Sequence, residues 1–377
     1  MVLACTGQNL LAHEYAFHRR KWRRGENSVL SRPIMSDRNP LIASVIPVLN
    51  EEKFIGSCID SLMKQSLPPS QHMILVLDGG STDSTRLIVE NAIRKSEESN
   101  GPVIELHDNP GKYVAEARNL AMSLLPKSVE FTVELIGHCT VEPSHLQVRM
   151  DEWARLSKLF PKPLAALGVR VMSREGVHGT SESWIEGALS SPFGSGNGQF
   201  ESFTESSETK VPAFAMHSRS ALTRVNGWDP EFITSQDSDL SMRLLEHDYA
   251  VARTAKTYVR MAKRSKLTNW WKMGHRYGFW RMKTVRKHPT RASLREFLPW
   301  FGLMMTLCLM LWKPNVGLAL PSLYLFVLLA EGLRSSFKTK RITAIFGVPL
   351  CLLMLHTSFS IGLLDGLFRK GRAPTDR

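Results

Sequence analysis

Three apolar stretches near the end of the 377-residue sequence constrain its fold more than any other feature. They read FLPWFGLMMTLCLMLW from Phe297, VGLALPSLYLFVLLAEGL from Val316 and ITAIFGVPLCLLMLHTSFSIGLLDGLF from Ile342. A helix that crosses a bilayer needs about 20 predominantly apolar residues. The first two stretches are short and are joined only by Lys-Pro-Asn, which predicts a tight helical hairpin. The third stretch is long enough to cross a membrane.

Clusters of lysine and arginine flank these apolar stretches. They read RMKTVRKHPTR before the hairpin, RSSFKTKR after it and FRKGR after the third stretch. Basic flanks stay on the cytoplasmic side of a membrane, and three full crossings cannot place all three flanks on that side. Two arrangements remain: the third stretch turns back at Pro349, or its end lies outside against the charge rule. The charges favour the turn at Pro349.

The net charge of +13 and the pI near 9.7 indicate an anionic partner. No nucleic-acid-binding motif or aromatic platform accompanies this charge, so no nucleic-acid partner is expected. The five cysteines lie far apart without a Cys-x-x-Cys pair, which favours neither a disulfide framework nor a zinc site. We expect a reducing cytoplasmic setting for the region before the membrane.

Residues 1–39 contain HRRKWRRGENS and no apolar stretch long enough for a signal peptide. They are interpreted as a basic N-terminal tail, which is either disordered or rests on anionic lipid headgroups. Residues 40–294 then form the predicted folded domain, and residues 295–377 form the membrane region with two to three hydrophobic segments and a basic tail.

The first half of residues 40–294 alternates predicted strands and helices. LIASVIPVLN is a short branched apolar run ending in turn residues, as expected for a buried parallel strand. FIGSCIDSLMKQS then places apolar residues, including Cys58, on one helical face. The next strand, HMILVLDGGSTDST, ends in Asp78 and two glycines. The predicted fold is therefore α/β and Rossmann-like, with a ligand at the carboxyl ends of the strands.

Read in order, these segments resemble the signatures of inverting family 2 glycosyltransferases. The segments are VIPVLNEE, VLDGGSTDST, GKYVAEARNLAM, GHCTVEP, SPFGSGNGQF and VPAFAMHSRSALTRVNGWDPEFITSQDSDLSMRL, followed by HRYGFWRMKTVRKHP. The later segments are similar to the membrane-associated branch that builds exopolysaccharides, including succinoglycan-type glucosyltransferases. The resemblance covers about Ser44 to Pro289. It implies a GT-A nucleotide-sugar domain followed by C-terminal transmembrane helices.

The resemblance also implies which residues bind the donor, expected to be a UDP- or GDP-sugar. Asp78 would accept a hydrogen bond from the uracil imide or the ribose, with Glu51 beside it, although both residues are also ordinary turn formers. Arg118 would face the diphosphate or a neighbouring carboxylate. The full set of implied nucleotide-sugar residues is Pro47, Glu51, Asp78, Gly80, Gly111 and Arg118.

An inverting transfer needs a base that takes the proton of the acceptor hydroxyl. The stretch SQDSDL resembles the place where relatives carry Glu-Asp, with the aspartate as the base. This similarity assigns the role to Asp237 and makes Gln236 a departure from the pattern; Asp239 is the reserve candidate. The same two carboxylates would also suit the first turn of a helix.

The stretch ELIGHCTVEP corresponds to the acidic motif that holds Mn²⁺ or Mg²⁺ in relatives. The resemblance places the expected aspartate at Ile136, and isoleucine cannot bind these cations; His138 remains as a doubtful ligand. Three interpretations stay open. Positive side chains such as Arg118 and His138 replace the metal, a glutamate such as Glu134 is recruited as a ligand, or catalysis has been lost.

The segment of about residues 266–294 is predicted to lie at the membrane interface. Within it, HRYGFWR resembles the position of a Gln-x-x-Arg-Trp acceptor motif in processive relatives, without the glutamine. His275, Arg276, Tyr277 and Trp280 are therefore candidates for binding an acceptor or its diphosphate. The alternative is an amphipathic helix whose aromatic and basic residues are only membrane anchors.

Two functions remain from the sequence. The first is a membrane-anchored inverting glycosyltransferase of polysaccharide biosynthesis in the cell envelope, which moves a hexose from a nucleotide sugar to a lipid-linked or polysaccharide acceptor at the cytoplasmic face. The second is a catalytically silent subunit that binds nucleotide sugar or partner enzymes. The expected partners are nucleotide sugar, a lipid-linked glycan, membrane lipids and other glycan-assembly proteins.

Overall fold

The computed structural model describes residues 39–176, 178–194 and 203–376. Residues 1–38 of the predicted basic tail therefore lie outside the described residues. From residue 39 onward, the chain forms one compact unit. Its fold consists of a mixed sheet with helices on both faces, followed by a group of long apolar helices.

The first part of the described chain alternates strand and helix as the apolar pattern predicts. Its elements are β1 (Ile42–Val48), α1 (Ile55–Met63), β2 (His72–Asp78), α2 (Thr85–Glu98), β3 (Val103–Asp108), α3 (Val114–Leu124) and β4 (Phe131–Glu134). Strands β1 and β2 are almost fully buried, as expected for parallel strands covered on both faces. Cys58 lies in the core, as predicted.

The second part of the sheet changes direction. It contains β5 (Cys139–Val141), α4 (His145–Leu159), β6 (Leu164–Ser173), α5 (Thr180–Ser190), β7 (Ser207–Glu208), β8 (Met216–Ser218), α6 (Arg219–Arg224), α7 (Gln236–Glu246) and β9 (Ala250–Met261). The strand order is β3-β2-β1-β4-β8-β6-β9-β5, with β7 paired to β9. Strands β1 to β4 pair in parallel, whereas β8 is antiparallel to both β4 and β6.

This topology brings three sequence-distant elements to one edge of the sheet. The carboxyl ends of β1, β2 and β4 meet there because these strands are parallel neighbours. Helix α7 begins at Gln236 after an unusual residue, since Ser235 has a positive φ of 66°. Ligands of open α/β sheets bind at such an edge.

The remaining helices are α8 (Leu267–Lys287), α9 (Leu294–Trp312), α10 (Pro314–Gly317), α11 (Ala319–Thr339) and α12 (Ala344–Phe368). Three helical stretches are long and apolar enough to cross a membrane, namely Leu294–Trp312, Pro314–Thr339 and Ala344–Phe368. The first of them has no buried residue, whereas 39% of the apolar part of the third is buried inside the protein. The third stretch therefore has a protein neighbour along much of its length.

That neighbour is α8, which runs beside α12 in the same direction. A Cβ added at Gly278 of α8 would lie 2.1 Å from the carbonyl oxygen of Phe359, and one added at Gly362 of α12 would lie 2.1 Å from that of His275. Real Cβ atoms do not approach this closely, so glycine is required for the two backbones to touch. The contact uses small residues in the way that closely packed membrane helices do.

The predicted turn at Pro349 is wrong. Helix α12 continues through Pro349 without a break, from Ala344 to Phe368. Pro349 packs instead against Gly332 of α11, where an added Cβ would meet its ring carbons at 2.8 Å. The close packing of α11 and α12 at this point keeps the helix continuous.

Candidate functional site

The Asp78 carboxylate lies at the carboxyl end of β2 and is buried. It accepts a hydrogen bond from the backbone N–H of Ser81 at 3.0 Å and forms an ion pair with Arg86 at 2.8 Å. Arg86 also binds Asp108 at the end of β3. Asp78 thus takes part in a turn, which is the alternative role that the sequence offered for it. Its negative charge is matched by Arg86, which was not singled out from the sequence.

The other predicted donor residues surround this edge. Pro47 pairs with Leu77 in the parallel ladder of β1 and β2. Gly80 has a φ of +90°, a conformation that glycine adopts at little cost. Gly111 has no room for a side chain, because an added Cβ would lie 2.5 Å from the Glu116 carboxylate. These residues shape the backbone at the strand ends.

Glu51 and His138 form a pair at the carboxyl ends of β1 and β4. The Nδ1 atom of His138 lies 2.7 Å from Oε1 of Glu51, and the two side chains are 30% and 17% exposed. An added Cβ at Gly137 would lie 2.8 Å from Glu51, so this glycine permits the approach. A carboxylate on Nδ1 fixes the ring orientation and directs Nε2 of His138 away from Glu51.

The residues around Ile136 do not fit the hard divalent cation that the resemblance implies. Ile136 packs against the apolar core. Glu134 is buried and already binds two side chains, Arg118 and His217. Mg²⁺ and Mn²⁺ prefer several oxygen ligands, and the His138–Glu51 pair alone does not supply them. The idea that Glu134 is a recruited metal ligand is therefore wrong for this structure.

Arg118 of α3 connects two carboxylates at the opposite end of the cleft. Its guanidinium binds Glu134 at the end of β4 at 2.9 Å and also contacts Asp237 in the first turn of α7. The side chains of Arg118 and Glu134 are 6% and 5% exposed, whereas that of Asp237 is 43% exposed. Asp237 is thus held by a buried partner and is still exposed to solvent.

Two buried aromatic residues complete this end of the cleft and were missed in the sequence. His217 of β8 places Nε2 at 2.7 Å from Glu134, and its ring meets Trp228 edge to face. The Arg118 guanidinium lies 5.6 Å from the Trp228 ring centre. A histidine within an apolar strand gave no signal, because its partner Glu134 is 83 positions away and meets it only through the β4–β8 pairing.

The charges of this network set the proton affinities of both carboxyl groups. Burial in the cleft raises the pKa of Asp237, Arg118 lowers it and the neighbouring Glu134 raises it, with a net increase. The exposed part of the Asp237 side chain moderates this increase. Burial also acts to raise the pKa of Glu134, but the charges of Arg118 and His217 hold it below its ordinary value.

Asp239, the reserve candidate for the base, lies elsewhere. Its side chain is fully buried and binds Arg243, Lys287 and His288 at 2.7 to 3.0 Å. Although burial acts to raise the pKa of Asp239, its hydrogen bonds with Lys287, His288 and Arg243 hold it below its ordinary value. An acceptor hydroxyl cannot reach a carboxylate enclosed in this way, so the reserve assignment is wrong and Asp239 joins α7 to the end of α8.

The predicted acceptor residues lie on α8 and divide into two groups. Tyr277 is 44% exposed. Trp280 is 4% exposed and packs against Phe232 and Phe279. Its indole N–H donates to Asp376 at 3.0 Å. The structure therefore corrects the expectation that Trp280 offers an open face for stacking on a sugar.

His275 and Arg276 are also covered from the other side of α8. His275 lies 3.2 Å from the Thr375 hydroxyl, and Arg276 donates to the Thr375 carbonyl oxygen at 3.2 Å. The segment after α12 thus contacts His275, Arg276 and Trp280. The sequence showed this segment only as a basic flank.

The mixed sheet, with parallel strands β1 to β4 followed by an antiparallel part, is typical of a GT-A domain. Its backbone is similar to that of the mannosyltransferase PcManGT of Pyrobaculum calidifontis, solved with GDP-Man and Mn²⁺. The TM-score is 0.54 at 15% identity, covering 94% of each chain. This likeness shows the fold.

Comparison of the sequence with known families finds a match in the first part of the described chain. Residues 44–160 match the model described as Glycosyl transferase family 2. The chain is 28% identical over 261 residues to the succinoglycan biosynthesis protein ExoA of Rhizobium meliloti, covering 68% of this chain and 73% of that protein. Residues 44–160 thus match family 2 glycosyltransferases, and the chain is similar to a protein of exopolysaccharide biosynthesis.

A second relative covers more of the chain. It is the dolichyl N-acetyl-alpha-D-glucosaminyl phosphate 3-beta-D-2,3-diacetamido-2,3-dideoxy-beta-D-glucuronosyltransferase of Methanococcus voltae, 23% identical over 329 residues. The match covers 87% of this chain and 97% of that protein, and so extends into the apolar helices.

Proposed function

We propose that the protein transfers a hexose with inversion from a UDP- or GDP-sugar to a lipid-linked glycan at the cytoplasmic face of a membrane. The observation that carries the proposal is the position of Asp237. This carboxylate starts α7, faces the strand-end cleft and is fixed by a buried arginine. The named relatives, one in succinoglycan biosynthesis and one acting on a dolichyl phosphate sugar, support a glycan acceptor.

In this proposal, Asp237 accepts the proton of the acceptor hydroxyl as that oxygen attacks the anomeric carbon. Its raised pKa makes it a better base than an ordinary aspartate. Arg118 would weaken the base if it bound Asp237 alone. Because Arg118 also binds Glu134, its positive charge is shared between two carboxylates. This sharing keeps Asp237 oriented and basic.

The leaving diphosphate would be stabilised by side chains at the donor edge. His138 is oriented by Glu51, and its Nε2 can donate a hydrogen bond to a phosphate oxygen when the ring is protonated. Ile136 removes the acidic ligand from this segment. We therefore infer that donor binding does not require a divalent cation.

The packing of α12 supports a particular membrane arrangement. The start of α12 meets α5, where Gly347 lies against Trp184, and its end meets α8, where Lys283 donates to the Arg369 carbonyl oxygen. Both ends of α12 therefore lie beside the catalytic domain. Helix α8 is rich in lysine and arginine and is unsuited to the bilayer interior.

We infer that α9 and α11 cross the membrane as a hairpin and that α12 lies along the interface. The outward face of α12 then contacts lipid, and its exposed apolar residues recur at helical spacing: Phe346, Leu350, Leu353, Ile361, Leu364 and Phe368. This arrangement keeps all three basic flanks on the cytoplasmic side, as the charges require.

Membrane arrangement can be tested by cysteine labelling in a cysteine-free background in sealed vesicles of known orientation. Lys313→Cys at the hairpin tip should react with an impermeant maleimide from outside, whereas Lys340→Cys and Lys370→Cys should react only after permeabilisation. Labelling of Lys370→Cys from the outside would show that α12 crosses.

Activity is tested with detergent-purified protein, membrane lipid extract and a panel of labelled UDP- and GDP-sugars. The expected result is transfer of one sugar to a lipid product in EDTA, with inverted anomeric configuration by NMR. Donor binding without transfer to any lipid extract would favour the silent subunit. Absence of nucleotide binding would remove the donor assignment as well.

A further inference from the structure

The segment after α12, residues 369–376, returns to the catalytic domain. It is anchored to α8 by Asp376, which accepts a hydrogen bond from Trp280, and by Thr375, which contacts His275 and Arg276. Ala373 is buried between these anchors and Phe232. The segment is thus fixed at one end by polar contacts and by a small apolar contact.

Arg372 lies in the middle of this segment, directly before Ala373, and reaches Tyr113. Its guanidinium lies 5.0 Å from the centre of the Tyr113 ring, and one N–H donates to the tyrosine hydroxyl at 3.1 Å. The side chain is exposed. Among the described residues, no carboxylate pairs with Arg372.

Tyr113 belongs to the loop between β3 and α3, which lies against the donor edge. The carbonyl oxygen of Lys112 would be 2.9 Å from a Cβ at Gly79, and Asn109 donates its backbone N–H to the Asp78 carbonyl oxygen at 2.7 Å. The loop therefore packs directly on the turn that follows β2. Arg372 is held against this loop, although it lies 259 positions after Tyr113 in sequence.

The charge of this edge explains what Arg372 can do there. Arg86 is already bound to Asp78 and Asp108, and Arg118 to Glu134 and Asp237. Both arginines are thus matched by carboxylates, whereas the partner of Arg372 in the described part of the chain is the neutral Tyr113. A planar guanidinium with unoccupied N–H groups binds phosphate oxygens well. The stacked tyrosine restricts the arginine side chain before a ligand arrives, so the side chain loses fewer conformations on binding.

We propose that Arg372 is a phosphate-binding residue of the donor site and contacts the diphosphate of the nucleotide sugar. The inference rests on the proposed function, because it takes the strand-end cleft as the donor site. It adds to that site a residue from beyond the last apolar helix. Residues 369–376 then connect the donor edge to α8, where the acceptor residues lie.

The test is isothermal titration of full-length, detergent-purified protein with UDP, GDP, uridine and guanosine in EDTA. Arg372→Gln should weaken binding of the preferred nucleoside diphosphate by about tenfold or more, as expected when a charge-assisted hydrogen bond is lost. Binding of the matching nucleoside should stay unchanged. Arg372→Lys should recover part of the loss, since it restores the charge without the planar fork.

The matched control is Lys370→Gln, which removes the same charge from the same segment, two residues away. It should change diphosphate affinity less than twofold, and thermal melting should show that both variants are folded. Equal diphosphate binding by wild type and Arg372→Gln would overturn the inference while leaving the proposed function standing. Equal weakening by both variants would also overturn it, because only the general charge would matter.

Two further outcomes are decisive. If wild-type protein bound neither diphosphate, the donor assignment and this inference would both fail. If deletion of residues 369–376 increased diphosphate affinity, the segment would cover the site rather than serve it, and the role of Arg372 would be excluded.

Discussion

The two ends of the cleft both contain a carboxylate paired with a cationic or ionisable partner, but they differ in burial. At the donor end, His138 and Glu51 are 30% and 17% exposed. At the base end, Arg118 and Glu134 are 6% and 5% exposed. The difference indicates that the Arg118–Glu134 pair is a fixed, low-dielectric arrangement, whereas the His138–Glu51 pair is accessible to solvent.

The largest expected effect is on turnover, from Asp237→Asn. The amide keeps the shape and removes the base, so we expect transfer to fall by about 10³-fold or more. Nucleotide binding, measured by titration, should change little because the donor edge is intact. Asp239→Asn is the control: it should lower thermal stability, since Arg243, Lys287 and His288 lose their buried carboxylate partner, without a comparable loss of turnover. Retained turnover in Asp237→Asn would remove the base assignment.

The second prediction compares stability at the two ends. Arg118→Met leaves Glu134 buried without its arginine and should cost about 3–5 kcal/mol in the free energy of unfolding. His138→Gln breaks a pair that water already reaches and should cost less than about 1 kcal/mol. Denaturant unfolding monitored by tryptophan fluorescence measures both. Equal losses would show that the two ends do not differ as proposed.

The third prediction concerns the pH dependence of transfer. Asp237 must be deprotonated to act, so activity should fall as pH drops through its raised pKa. Glu134→Gln removes a negative charge that raises this pKa and leaves Arg118 to pair with Asp237 alone. Both effects lower the pKa, so the acidic limb of the pH–rate profile should move to lower pH, by about one unit. A shift to higher pH, or none, would contradict the coupling.

The smallest effect is expected from Ile136→Asp, which restores the carboxylate that relatives carry. Because His138 lies two residues away, the variant offers an aspartate and an imidazole, and Mn²⁺ should increase its nucleotide affinity by a few-fold. Wild-type protein should show no such increase in a titration with and without EDTA. Strong Mn²⁺ dependence in wild type would show that the donor end recruits a metal with other ligands.

The parts predicted from sequence depend on neighbours in the chain. The alternation of β1, α1 and β2, the turn after Asp78 and the apolar helices follow from local patterns, and the helix start at Gln236 was placed by motif order. The partners of Arg118 were left open because a guanidinium suits phosphate and carboxylate equally well. His217 and Arg372 gave no local signal, since their contacts join segments far apart in sequence.

The sequence by itself determined the α/β domain, the resemblance to family 2 glycosyltransferases and the apolar character of the last quarter, because periodicity and motif order are properties of adjacent residues. Only the tertiary structure decided that Glu134 is neutralised by Arg118 and His217, that Asp239 is enclosed, and that α12 lies on α8. These outcomes depend on the β4–β8 pairing and on backbone contact at Gly278 and Gly362. Burial and distance between remote residues arise only when the sheet and helices pack together.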